Sequence, residues 1–106
     1  MFGAAFQWKE HFFYMNRQSA DGASVFSIQH FGDEEDCKKF KVEIKVHQTG
    51  DKEDYVQKSV GEPLAMDITE HQRKKNGLVV GNILMKKISV VENEMWKFSV
   101  TYDIKQ

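Results

Sequence analysis

The side chains able to do chemistry are few and scattered along the chain. His11, His30, Cys37, His47 and His71 are types that bind metal, but no CxxC or HxxxH pair sets two of them on one local loop, as zinc sites require. No metal and no other cofactor is expected. Cys37 is the single cysteine. As a nucleophile it would need an adjacent base and an activating environment, whereas a lone cysteine on a short helical turn packs as a small apolar residue. Asp33, Glu34, Glu35 and Asp36 are answered at once by Lys38 and Lys39, the pattern of a solvated, self-compensated turn rather than a cation site. Arg73, Lys74 and Lys75 are three cations in a chain with 15 basic and 16 acidic residues. Phosphate-backbone binding recruits more contacts than that, so no nucleic acid is expected. No GxxxxGK[ST] or GxGxxG motif supports a nucleotide cradle. No catalytic residue is assigned, and the chain is not expected to be an enzyme.

The aromatic residues are the stronger signal. On an extended strand Trp8, Phe12 and Tyr14 share one parity and Phe13 takes the other, so the strand is apolar on both faces. Either both faces are covered within the fold, or one face or its edge receives a partner. Trp8, Phe12, Phe13 and Tyr14 are therefore the candidate peptide- or partner-binding residues.

The stretch from Val25 to Val46 contains the elements that would position them. Val25 to Phe31 alternates as a strand, with Phe26, Ile28 and His30 on one face. Gly32 ends it, and Asp33 is placed to cap a short helical turn in which Glu34 to Lys38 and Glu35 to Lys39 set opposite charges one turn apart. Phe40, Val42, Ile44 and Val46 then alternate with Lys41, Glu43 and Lys45, the mark of a half-buried antiparallel strand. Six strands are expected, at about Trp8–Asn16, Ala23–Phe31, Phe40–His47, Asp54–Val60, Leu78–Val80 and Met95–Ile104. The last carries Trp96, Phe98, Val100, Tyr102 and Ile104 on one core-facing side. Gln48 to Glu53 reads as a hairpin connection, Gly61 to Gly77 as a long polar loop, and Asn82 to Met85 as a short turn. Short strands joined by turns, with one brief helical turn, imply an all-β, antiparallel β-sandwich.

Ile28 to Val46 resembles, without a gap, the corresponding segment of the seven-in-absentia (Siah) substrate-binding domain, a TRAF-like sandwich: Gln29, Gly32 and Phe40 fall on the same types. Asp21-Gly22, Leu78-Val79-Val80, Asn82 to Met85 and the last strand are similar to the turn and closing elements of TRAF-like domains. The resemblance covers about Phe12 to Ile104 and implies a TRAF-like β-sandwich spanning 1–106 as one domain, N-terminally short because the family has further strands ahead of this point. It also implies a protein-protein interaction module that binds peptide segments or partner proteins by β-sheet edge and pocket contacts. Such a module self-associates as a homodimer and works in a ubiquitin-ligase setting. The alternative is a TRAF-like scaffold for oligomerisation unrelated to ubiquitin.

Composition is compatible with this. At 106 residues, 41% of them hydrophobic, the chain can bury one core and has no room for a second. A net charge of -1 recommends no polyanion or acidic membrane surface as partner. The lone cysteine, the missing signal-peptide pattern and the lack of a long apolar run set the expected location as the cytoplasm, with the nucleus as the alternative, and no membrane partner.

Overall fold

The computed structural model of the chain describes residues 2–49, 56–65 and 77–106. Along these run β1 (Phe2–Trp8), β2 (His11–Ala20), β3 (Ala23–His30), α1 (Glu34–Cys37), β4 (Lys41–His47), β5 (Gln57–Gly61), β6 (Leu64–Ala65), β7 (Leu78–Gly81), α2 (Asn82–Ile88), β8 (Val90–Glu92), β9 (Met95–Lys97) and β10 (Ser99–Lys105). The fold is all-β, as the alternation implies. None of the described helices is long and apolar enough to cross a membrane.

One sheet runs β1-β2-β3, all antiparallel. The far edge of β3 is shared by β7, antiparallel along its first half, and β6, parallel at its end. The second sheet runs β10-β4-β5, also antiparallel. β8 and β9 form a separate hairpin. The inner faces of the two main sheets meet through Phe13, Phe26 and Ile28 on one side and Val42, Ile44, Val46 and Ile104 on the other, with Met85 and Ile88 of α2 joining the same core. In β4 the buried residues alternate with Lys41, Glu43 and Lys45, so period two fixes which side of the strand faces inward. β3 is different. As an interior strand it buries Val25, Ser27 and Gln29 as well as Phe26, Ile28 and His30.

The turn chemistry of Asp21-Gly22 is what a two-residue hairpin demands. Both residues take left-handed backbone, with φ of 50° and 74°, and join the Ala20 and Ala23 partners. Asp33 caps α1 as expected, its carboxylate accepting from the backbone N–H of Asp36 at 2.9 Å. The ion pairs form one residue earlier than helical spacing implies: Lys38 with Glu35 at 3.0 Å and Lys39 with Asp36 at 3.1 Å. The helix closes on three-residue bonds, Lys39 N–H to Asp36 O and Phe40 N–H to Cys37 O, which bring residues three apart together.

Several sequence boundaries shift. A further strand, β1, precedes the first expected one. The expected strand Trp8–Asn16 is two strands, because Lys9, with φ of 55°, and Glu10 make a tight turn between Trp8 and His11. The long last strand is also two. Met95–Lys97 pairs with β8 while Ser99–Lys105 pairs with β4, and the chain changes sheets at Phe98. Trp96 is consequently exposed rather than in the core. Asn82 to Met85 belongs to a two-turn helix, α2, that continues to Ile88, so the fold has a second helix beside the one expected. β5 begins at Gln57. Asp54, most of the Gln48–Glu53 connection and the run His71 to Asn76, with Arg73, Lys74 and Lys75, lie outside the described residues.

Candidate functional site

The four aromatic candidates divide between two faces. Trp8 belongs to β1 and turns inward, meeting Phe40 edge-on with ring centroids 6.2 Å apart. Phe13 is fully buried, stacked on Phe6 at 5.6 Å and edge-on to Phe40 at 5.3 Å. Phe12, 54% exposed, and Tyr14 take the outward parity of β2. The ring of Tyr14 lies over Gly3 of β1, where a Cβ would collide with it. The Lys9–Glu10 turn is what moves Trp8 to the inward set with Phe13. The same turn corrects the expected edge: β2 is paired on both sides, by β1 and β3, and among the described strands β1 is the edge on this side of the sheet.

A different group of residues frames the most evident opening between the sheets. Register sets Arg17 opposite Phe26 and Met15 opposite Ile28, on the inward parity shared with Phe13. In the second sheet Val100 and Tyr102 pair with the buried Val46 and Ile44 and so share their inward face. Between lies a cleft of about 250 Å³ lined by Met15, Arg17, Phe26, Phe98, Val100 and Tyr102. β10 thus stands over β2. Ile28 of β3 shares a smaller opening with Val42 and Ile44 of β4 and with Ser59 of β5, so the second sheet lies toward the β3 side of the first. On the inward face of β1, Phe6 and Trp8 pack against the core, whereas Ala4, inward by its register with Met15, is exposed.

Arg17 is the polar group in this apolar setting. Its guanidinium carbon lies 4.6 Å from the Phe98 ring centroid and 5.8 Å from that of Phe26, a cation–π arrangement. Its Nε is buried and, among the described residues, has no hydrogen-bond partner. Burial lowers the Arg17 pKa from its ordinary value, yet an arginine stays charged in proteins. Burial likewise raises the Tyr102 phenol, which remains protonated at neutral pH. Sequence reading missed Arg17, although a signal was present: in the inward series His11, Phe13, Met15, Arg17 it places a full charge where the pattern calls for an apolar residue.

A second concavity, of about 280 Å³, lies at the opposite end of β2 and β3, where His11, His30, Asp36, Lys39 and Phe40 come together. The His11 and His30 rings are 5.6 Å apart, and each packs on Phe40. His30 is 6% exposed with its Nδ1 unpartnered. Burial first and then the neighbouring His11 lower its pKa, with Asp36 opposing them, Lys39 adding to the lowering and Asp33 raising it least. Among the described residues no three His, Cys, Asp or Glu side chains converge to hold an ion. Cys37 is buried, and burial together with the nearby carboxylates raises its pKa, so the thiol is protonated and a poor nucleophile.

The β8–β9 hairpin adds an exposed apolar surface outside both openings. Val91 pairs with Trp96 across the strands, and Met95 is 64% exposed beside them. No protein-family model matches this chain, and no curated protein matches it.

Proposed function

We propose that this chain is a protein-binding module that takes up an extended segment of a partner along the edge of β10 that no described strand pairs, with alternate side chains entering the cleft. The observation that carries this reading is the position of β10: it ends the smaller sheet directly beside the cleft, while on the larger sheet the inward face of β1 is exposed at Ala4. An edge strand presents a row of unpaired backbone donors and acceptors, the template for strand addition. A fourth strand on β10 would gain backbone hydrogen bonds on one side and cover the inward face of β1. Backbone pairing supplies affinity in such complexes, and pockets for alternate side chains supply selectivity. The resemblance to Siah-type domains supports a role in presenting the bound protein for ubiquitin transfer. Self-association is supported by a different surface, the hairpin face on which the exposed Val91 and Trp96 pair across the strands, since exposed apolar patches mark interaction sites.

The test is selection from a random peptide library of the length of β10, followed by amide hydrogen exchange on the chain with a selected peptide bound. Alternate amides of Ser99–Lys105 are expected to gain protection. Selected peptides that bind yet leave every β10 amide exchanging as before would remove this edge as the binding site.

A further inference from the structure

We propose that the cleft selects a carboxylate: the partner segment presents a glutamate or aspartate to Arg17, with an aromatic or branched apolar residue two positions along filling the space between Phe98 and Tyr102. This deepens the strand-addition reading and rests on it for the source of the carboxylate. Arg17 stands half-buried on the inward face of β2, among Met15, Phe26 and Phe98, where its charge is partly withdrawn from water. Among the described residues no carboxylate forms an ion pair with it, and its only close partners are the two rings. The rings offer no oxygen acceptor to its N–H edge, and among the described residues the buried Nε has no hydrogen-bond partner.

That edge is a planar fork matched to a carboxylate, which accepts two parallel hydrogen bonds from it. Apart from Asn16 and the Tyr102 hydroxyl the remaining walls are apolar, so the group that brings the carboxylate must itself fill largely apolar space. A cavity of about 150 Å³ suffices to bind benzene. The cleft, at about 250 Å³, therefore has room for one ring or branched side chain beside the acid. Along an extended strand, residues two apart point the same way at a separation of roughly 7 Å. An acid and an apolar residue with that spacing reach Arg17 and the Phe98–Tyr102 wall together. A phosphate-rich ligand fits less well, because one arginine stands alone here and the chain carries a net charge of -1.

The experiment separates the cleft from the edge. The isotope-labelled full chain is titrated with hydrocinnamate and with hydrocinnamamide, which has the same ring and length but no charge, while the Arg17 Nε–Hε and Val100 methyl resonances are followed. Hydrocinnamate is expected to shift both and to bind about tenfold or more tightly than the amide, the effect of a hydrogen bond to a charged acceptor. Equal binding of acid and amide, or no movement at Arg17, overturns the proposal. Arg17→Gln is expected to abolish the preference for the acid. Should that variant fail to fold, the comparison of acid and amide on the unaltered chain decides by itself. Hydrocinnamate binding at Arg17 while no peptide protects β10 would overturn the peptide segment as the source and remove the strand-addition reading. Peptides that protect β10 without enrichment of glutamate or aspartate opposite Arg17 would sustain strand addition and overturn the carboxylate selectivity.

Discussion

Phe12 and Phe13 are neighbours in sequence and opposites in energetics. Phe13 is enclosed by Phe6, Phe40 and His30, with ring separations of 5.6, 5.3 and 5.0 Å, so truncation leaves a cavity in a packed aromatic group. Phe13→Ala is expected to cost about 3–5 kcal/mol, read as a lowered urea midpoint, whereas Phe12→Ala on the exposed face should change stability by roughly 0.5 kcal/mol or less. A larger loss at Phe12 than at Phe13 would mean that the facing of β2 is reversed. His30 makes a second prediction. Its pKa is lowered in the folded chain, first by burial and then by His11, so the folded state resists protonation more than the unfolded state does. The unfolded chain therefore binds the proton first as the pH falls. Stability contributed by neutral His30 is complete above about pH 6.5, declines as the pH drops below it, and levels off beneath the folded pKa. Denaturation midpoints measured between pH 8 and pH 5 should fall along this course, and His30→Gln should flatten it, with values taken at about unit intervals. A slope unchanged by that substitution would place the titrating group elsewhere.

At the scale of elements, the turns decide how well a strand can be read. Asp21-Gly22 has the residue types that left-handed backbone favours, and its hairpin is evident from the sequence. Lys9-Glu10 and Asn93-Glu94 lack glycine, yet Lys9, Asn93 and Glu94 all adopt positive φ, at 55°, 52° and 63°. That is why one expected strand became the β1–β2 hairpin and why β8–β9 was not foreseen. Glu94 carries a side chain in a conformation that costs about 1–2 kcal/mol for residues with a Cβ. Glu94→Gly relieves that cost, less the greater backbone entropy glycine loses on folding. A net gain of roughly 0.5–1 kcal/mol in local stability is expected, read as slower amide exchange across Val90–Lys97. Unchanged or faster exchange there would show that the side chain of Glu94 contributes more than its backbone strain costs. The isolated hairpin is a sensitive place for the measurement, because two strands without a covering layer are marginally stable.

At the scale of the whole molecule, the smaller sheet joins distant parts of the chain: Ser99 pairs with His47 and Lys105 with Lys41. Long loops must close before such pairs form, so folding is expected on the millisecond-to-second scale of non-local β proteins. Stopped-flow tryptophan fluorescence would check this, and microsecond folding would contradict the dominance of these pairings. The sequence alone was sufficient for whatever depends on neighbours along the chain. Alternation marked the inward residues of β3, β4 and β10, Asp33 announced the cap of α1, and Asp21-Gly22 marked its turn, because side-chain direction in a strand and bonding at a cap or turn involve residues only a few positions apart. Tertiary structure decided the rest. Only the pairing of strands shows that β1 rather than β2 is an edge, and only the change of sheets at Phe98 exposes Trp96 while leaving Phe98 against the core. The candidate site is the clearest case. Arg17 and Phe98 are far apart in the chain, and they meet at 4.6 Å because β2 and β10 occupy facing sheets of unequal width. Periodicity records which way a side chain points, but the partner it meets across the core depends on how the sheets stack, a long-range outcome of burial summed over both.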